Sequence, residues 1–145
     1  MFTHLLIATD GSKLAAKAET VGLDLAERMS ARVTVVTATE PWSAMTRGKP
    51  SAFDFPIEDC EKAAARHAGE ILARVRQAAA QSQVPCDTLH VVDFPAQAII
   101  ETAKAKGCDL IVMASHGHRG LTGLMLGSQA QRVVTLSAVP VLICR

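Results

Sequence analysis

"HLLIATDGSKLAAKAETVGLDLAERMSARVTVVTAT", residues 4–39, decides the fold of this 145-residue chain. Residues 4–10 form a short apolar run that is typical of a buried parallel strand. The next residues turn the chain, and the Ser12 hydroxyl can cap a helix. Apolar residues then recur every three or four positions, which predicts a helix with one apolar face. That face is expected to contain Leu14, Ala18, Val21, Leu25 and Met29. Residues 31–39 are β-branched and predict a second strand.

The same alternation continues to the end of the chain. A second helix is predicted from residue 57, a third strand over Cys86–Val92, and a third helix over 96–106 with Gly107 as its C-terminal cap. A fourth strand (109–115), a fourth helix (Ser128–Leu136) and a last strand (139–144) follow. The sequence therefore predicts an α/β fold, an open five-stranded parallel sheet with helices on both faces. We expect strand order 3-2-1-4-5 and a single domain over residues 1–145.

Composition excludes several classes of function. The chain has 15 basic and 14 acidic residues, a net charge of +1, and only 3% aromatic residues, which argues against a nucleic-acid partner. Its apolar runs are far shorter than the ~20 residues of a membrane span, and the first is too short for a signal peptide. The four cysteines match no zinc or Cys-x-x-Cys spacing, so we expect reduced, mostly buried thiols in a cytoplasmic protein.

Two polar segments follow strands one and four. In an open α/β sheet, ligands bind beyond the carboxyl ends of the strands, where the winding direction reverses. Asp10, Gly11 and Ser12 follow strand one, and a glycine-rich segment follows strand four. Gly117, Gly120 and Gly123 allow backbone N–H groups to converge on an anion, and Gly127 and Ser128 open a helix whose N-terminus favours phosphate. The segment predicts a phosphate-binding loop, and the alternative is a merely flexible connection.

Other sites have weaker support. Strand one is not followed by Gly-x-Gly-x-x-Gly, and the chain lacks Gly-Lys-Ser/Thr, which disfavours a Rossmann or Walker A site. His116 and His118 could bind a metal or act as acid and base, but a third ligand is missing nearby in sequence, so we predict neither a metal site nor a catalytic residue. His67 falls on the second helical stripe, where we expect a partnered core or interface residue. The proline-rich segment 40–56 is either a binding loop or a plain connection.

The residues "IATDGS" (7–12), "DLIVMASHGHRGLTGLMLGS" (109–128) and "VPVLIC" (139–144) resemble the universal stress protein family of the adenine-nucleotide α-hydrolase-like superfamily. ATP-binding members carry Gly-x-x-Gly, nine residues, then Gly-Ser/Thr. Gly117, Gly127 and Ser128 match the later part, whereas Ala114 stands where the first glycine is expected. A methyl group there could crowd the path of the ribose or phosphate. Phe94 likewise stands where family members often have glycine before proline.

The resemblance implies a role for each site residue. Asp10 would accept a hydrogen bond from the adenine amine, although a turn aspartate that bonds the backbone would also explain it. Ala38 would form a wall and Met113 the floor of the adenine pocket, although core packing alone accounts for both. Gly117, Gly127 and Ser128 would contact phosphate, with Gly120 a less specific candidate.

The resemblance implies an ATP-binding regulatory or stress-response module in which Mg²⁺ rides on the phosphates. Residues 114–128 hold no carboxylate to place a metal or a water, so we expect at most slow hydrolysis. The alternative function is a dimeric interaction protein that binds no nucleotide. The resemblance also implies a homodimer through the C-terminal strand and a signalling partner that the sequence does not identify.

Overall fold

The computed structural model describes residues 1–42, 56–117 and 125–145. Five strands are present in this part of the chain: β1 (His4–Ala8), β2 (Arg32–Thr39), β3 (Cys86–Val92), β4 (Leu110–Ala114) and β5 (Val141–Cys144). Four long helices connect them: α1 (Lys13–Met29), α2 (Ile57–Gln81), α3 (Pro95–Lys106) and α4 (Ser128–Leu136). The strand order is β3-β2-β1-β4-β5, and every pairing is parallel. The predicted fold class and strand order are therefore confirmed.

The core is split by the sheet into two apolar layers. Because side chains alternate along a strand, Leu5 and Ile7 face one layer and Leu6 faces the other. The first layer packs under α1 and α2, and the second packs under α3 and α4. β4 follows the same alternation, with Val112 and Ala114 in the first layer and Met113 in the second. The helices thus cover both faces of the sheet.

Several strands are shorter than the sequence predicts, because local hydrogen bonds replace the ladder at their ends. β1 stops at Ala8, and the Asp10 carboxylate then accepts the Ser12 N–H. β5 begins at Val141, after the Ser137 hydroxyl has engaged both the N–H and the carbonyl of Val139. The two predicted caps are confirmed: Ser12 accepts the Ala15 N–H, and Gly107 ends α3 at φ +67°.

The predicted buried face of α1 is wrong in part. The buried residues are Ala15, Ala18, Glu19, Gly22, Leu23 and Ala26, whereas Val21 is exposed. Small residues let the helix approach the sheet closely, since a Cβ on Gly22 would lie 2.6 Å from Cδ1 of Ile7. The core position allowed for His67 is also wrong. Its side chain is 67% exposed on α2 and lies 4.0 Å from Glu70.

The cysteines follow the expectation of separate thiols. All four are free; Cys108 and Cys144 are buried, and Cys60 and Cys86 are half-buried. Burial raises the pKa of the Cys108 thiol to about 11, which keeps it protonated and unreactive at neutral pH. Among the described residues, no helix is long and apolar enough to cross a membrane.

Candidate functional site

A pocket of about 700 Å³ lies at the carboxyl ends of the strands, where the chain reverses its winding direction between β1 and β4. This volume is within the usual range of small-molecule sites. The described lining includes every predicted site residue except Gly120, which lies outside the described residues together with His118. The predicted residues that line the pocket are Asp10, Ala38, Met113, Ala114, Gly117, Gly127 and Ser128.

One wall of the pocket is apolar. Ala8, Val36 and Met113 come from three adjacent strands, and Ile99 and Ala130 come from α3 and α4. All five belong to the second core layer, so the wall is continuous with the packed interior. Ala38 extends this wall at the end of β2, where it is half-buried. Such a surface suits a flat apolar ring rather than a hydrated group.

Asp10 is held in place by the turn that it helps to form. Its Oδ1 atom accepts the Ser12 N–H at 2.9 Å, so the turn interpretation of this residue is correct. The same carboxylate also lines the pocket. A Cβ on Gly117 would lie 2.6 Å from Oδ2 of Asp10, so these two segments approach more closely than any side chain would permit. A side chain at residue 117 would therefore displace the Asp10 carboxylate from its present position.

The N-terminus of α4 opens into the pocket. Gly127 occupies the N-cap position and brings no side chain to accept the first N–H groups of the helix. Its own N–H donates to the Ser115 carbonyl at 2.8 Å, and a Cβ on Gly127 would lie 3.0 Å from that same oxygen. The exposed Ser128 hydroxyl adds a donor at the first helical position. Amides without a side-chain cap and the positive end of the helix dipole are the features that favour an anion at a helix start.

The N-terminus of α3 meets the same pocket but is satisfied by the protein. Phe94 at its N-cap also supplies no side-chain bond, yet the Ala96 N–H donates to Oε1 of Gln129 at 3.0 Å. Gln129 lies in the first turn of α4 and lines the pocket, as does Pro95. Sequence reasoning did not find this contact. The two helix starts thus differ, since one is capped from its neighbour and the other faces open space.

Charge in the pocket is sparse. Among the described lining residues, none is Lys or Arg, and Asp10 is the one carboxylate. His116 also lines the pocket, with Nδ1 3.1 Å from the Ser115 hydroxyl oxygen. In residues 1–42, 56–117 and 125–145, no group of three or more His, Cys, Asp or Glu side chains could hold a metal ion. Among the described residues, the features that would attract an anion here are backbone amides and the α4 dipole.

These features define an open, doubly wound α/β protein in which a helix N-terminus without a side-chain cap lies beside an apolar crevice. The model of the universal stress protein family matches residues 1–145, and the chain belongs to that family. It is 32% identical to universal stress protein YxiE of Bacillus subtilis, over the full length of both chains.

Solved structures share the fold. Universal stress protein UspA from Lactobacillus plantarum has a TM-score of 0.87 and 25% identity, with 99% of this chain and 98% of that one covered. A universal stress protein from Archaeoglobus fulgidus, solved in complex with dAMP, has a TM-score of 0.68 and 18% identity, with 100% and 98% covered. The second likeness is one of fold.

Proposed function

We propose that this protein binds ATP as a regulatory module of the cytoplasm, with little or no hydrolysis. The observation that carries the proposal is the N-terminus of α4, which has no side-chain cap and opens into a 700 Å³ pocket with an apolar wall. A polyphosphate suits the helix tip, and an adenine ring suits the wall. The dAMP complex of a solved relative supports an adenine nucleotide as the ligand class.

The residues divide between the two ends of the ligand. Ala38 and Met113 would bracket the base, and the Asp10 carboxylate would accept from its exocyclic amine. The amides near Gly117 and Gly127, with the Ser128 hydroxyl, would hold the phosphates. Magnesium would be carried by the phosphates, because the described pocket offers a single carboxylate.

The departure at Ala114 is compatible with this proposal. Ala114 belongs to the first core layer with Val112 and Ala18, whereas Met113 faces the second layer and the apolar wall. The methyl group is therefore packed with the core under α1 rather than standing on the wall that would receive the base. Ala114 also lines the pocket, so the Ala114→Gly variant tests whether its methyl group crowds the ribose or phosphate.

Calorimetry with ATP on the wild type and on Gly127→Val tests the proposal. A valine side chain would meet the Ser115 carbonyl and His116, so binding should fall by roughly a hundredfold, about 2.7 kcal/mol. Gly69→Val is the matched control, because a Cβ there has nothing within 4 Å. Adenine nucleotide in the supernatant of heat-precipitated protein would give independent support. Wild-type protein that binds no ATP at millimolar concentration would leave the nucleotide-free interaction protein as the function.

The same proposal includes a homodimer through β5. The Pro140 and Cys144 carbonyls accept hydrogen bonds from the N–H groups of Ile111 and Ser115. Because backbone groups alternate in direction along a strand, the N–H and carbonyl of Ile143 point away from β4. An open apolar edge of this kind pairs readily with a second strand. Ile143→Pro removes the outward N–H and should give a monomer in sedimentation at micromolar concentration. Ile143→Thr keeps that N–H and is the control; a monomeric wild type would contradict the dimer.

A further inference from the structure

The turn that presents Asp10 is tied to a buried carboxylate. Thr9 follows β1 directly and is buried. Its hydroxyl accepts the Gly11 N–H at 3.2 Å and donates to Oε1 of Glu19 in α1. The hydroxyl therefore holds the turn backbone on one side and is itself oriented by Glu19 on the other.

Glu19 is an unusual residue for its position, since its side chain is only 6% exposed and it lies on the buried face of α1. A carboxylate in such surroundings requires hydrogen bonds and a countercharge. Arg74 of α2 supplies both, with Nη1 2.8 Å from Oε2 and Nη2 3.1 Å from Oε1. This bidentate geometry fixes the plane of the Glu19 carboxylate as well as its position.

A second contact from α2 reaches the same turn. Ile71 lies one turn before Arg74 on the helix and therefore shares its face. Gly11 has φ +78°, and a Cβ there would lie 2.7 Å from Cδ1 of Ile71. Helix α2 thus contacts the turn in two ways. Ile71 packs against Gly11, and Arg74 acts on Thr9 through the hydrogen bonds of Glu19.

We propose that Arg74 is a positioning residue for the nucleotide pocket, acting through Glu19 and Thr9 on the turn that carries Asp10; this inference rests on the proposed function. The position of this turn matters for the pocket, because Asp10 lies so close to Gly117 that a methyl group on Gly117 would collide with the Asp10 carboxylate. A turn released from Thr9 would move the carboxylate relative to the pocket that it lines. Arg74 itself stays outside the described lining.

A double-mutant cycle tests whether Arg74 acts through Asp10. Arg74→Gln should weaken ATP binding by roughly five- to tenfold, within the range of coupled neighbours. In an Asp10→Asn background the same change should weaken it by less than about twofold, because the group being positioned has already been altered. Arg76→Gln is the matched control, since Arg76 lies on the same helix and donates to Thr88 at an exposed site. Independent, multiplicative effects would overturn the proposal.

A nucleotide-free measurement separates the two proposals. Amide exchange at Gly11 should speed up by roughly tenfold in Arg74→Gln, because its acceptor Thr9 loses its orientation. Thr9→Val should do the same, and Thr9→Ser, which keeps the hydroxyl, should not. Unchanged exchange overturns the positioning role. If the wild type binds ATP and Arg74→Gln binds it equally well, only this inference is wrong; if the wild type binds none, the proposed function is wrong with it.

Discussion

The two ends of the sheet are built from the same strands but differ in how their polar groups are hydrogen-bonded. At the amino end, the Asp109 carboxylate accepts the Thr3 N–H at 2.9 Å, the Thr3 hydroxyl at 3.0 Å and the His4 N–H at 3.1 Å. The His4 ring lies beside it, with Nε2 2.8 Å from the Thr34 hydroxyl oxygen. At the carboxyl end, a helix start without a side-chain cap faces 700 Å³ of space.

This difference separates stability from binding. The Asp109 carboxylate and the Nε2 atom of His4 are used within the protein, where each hydrogen bond contributes about 1 kcal/mol to folding. In the part of the chain that the structure describes, the first amides of α4 at the carboxyl end have no side-chain cap, and we expect them to be available to a ligand. Substitutions at the amino end should therefore change the free energy of unfolding, and substitutions at the carboxyl end should change affinity. Four substitutions test that division, in decreasing order of expected effect.

Gly117→Ala should have the largest effect. The new methyl group would lie 2.6 Å from Oδ2 of Asp10, so one of the two segments must move. We expect ATP affinity to fall by roughly a hundredfold, about 2.7 kcal/mol, with a change of less than about 1 kcal/mol in unfolding free energy. Calorimetry and urea unfolding on the same preparations give the two numbers. A variant that loses stability but keeps its affinity would reverse the proposed division.

Asp109→Ala should lower stability by about 2 kcal/mol, because three donors lose a charged acceptor. Burial alone would raise the pKa of Asp109, but the hydrogen bonds from Thr3 and His4 outweigh it and lower the pKa below 3.8. The carboxylate therefore stabilises the fold above pH 3.8, and this contribution is lost as the pH falls through the native pKa.

Urea unfolding of Asp109→Ala at pH 7 and at pH 3 should thus show the difference from wild type shrinking in acid. Asp24→Ala, on the exposed face of α1, is the control. ATP affinity at pH 7 should be unchanged, and a large loss of affinity would show that the two ends are coupled.

His4→Gln should lower stability by about 1 kcal/mol at pH 7.5, through the altered bond to Thr34. Burial lowers the pKa of His4, and the charge of Arg32 lowers it further, against the opposing charge of Asp109. The unfolded chain then binds more protons than the native protein below about pH 6.5. Wild-type stability should fall as the pH is lowered from 6.5 towards the native pKa.

That acid dependence should be flatter in His4→Gln, as measured by unfolding between pH 7.5 and 5. His67→Gln removes an exposed histidine without touching the sheet and serves as the control. Identical pH profiles for the wild type and His4→Gln would contradict the assignment.

Ala114→Gly should have only a small effect on binding, a change in affinity of less than about threefold. Its methyl group is packed in the first core layer, so removal should instead lower stability by about 1 kcal/mol. A tenfold gain in ATP affinity would show that the methyl group crowds the ligand after all.

Much of the fold could be predicted because strand and helix periods alternate clearly. The helix faces were harder, and α1 shows why. The predicted apolar stripe included Val21, which is exposed, and missed Gly22, whose small size permits close approach to the sheet but carries little hydropathy signal. The core position expected for His67 was wrong for a related reason. The predicted apolar stripe of α2 was one position too wide, and His67 at its margin is exposed to solvent.

The placement of the candidate site was predictable in outline, because the carboxyl ends of β1 and β4 must meet at the reversal of winding. The contacts that hold the turn after β1 in place were not predictable. Arg74 and Glu19 are 55 positions apart, and no local pattern pairs them. The one available signal was a carboxylate at Glu19, spaced with the small residues Ala15 and Gly22 on the inward face. The capping of α3 by Gln129 has no sequence signal at all.

That last contact has a mechanical consequence. Because the Gln129 side chain accepts the Ala96 N–H, α4 cannot swing outward without exposing an amide at the start of its neighbour. The starts of α3 and α4 are therefore linked to each other on this side of the crevice. A ligand that shifts the start of α4 would therefore be expected to shift the start of α3 with it.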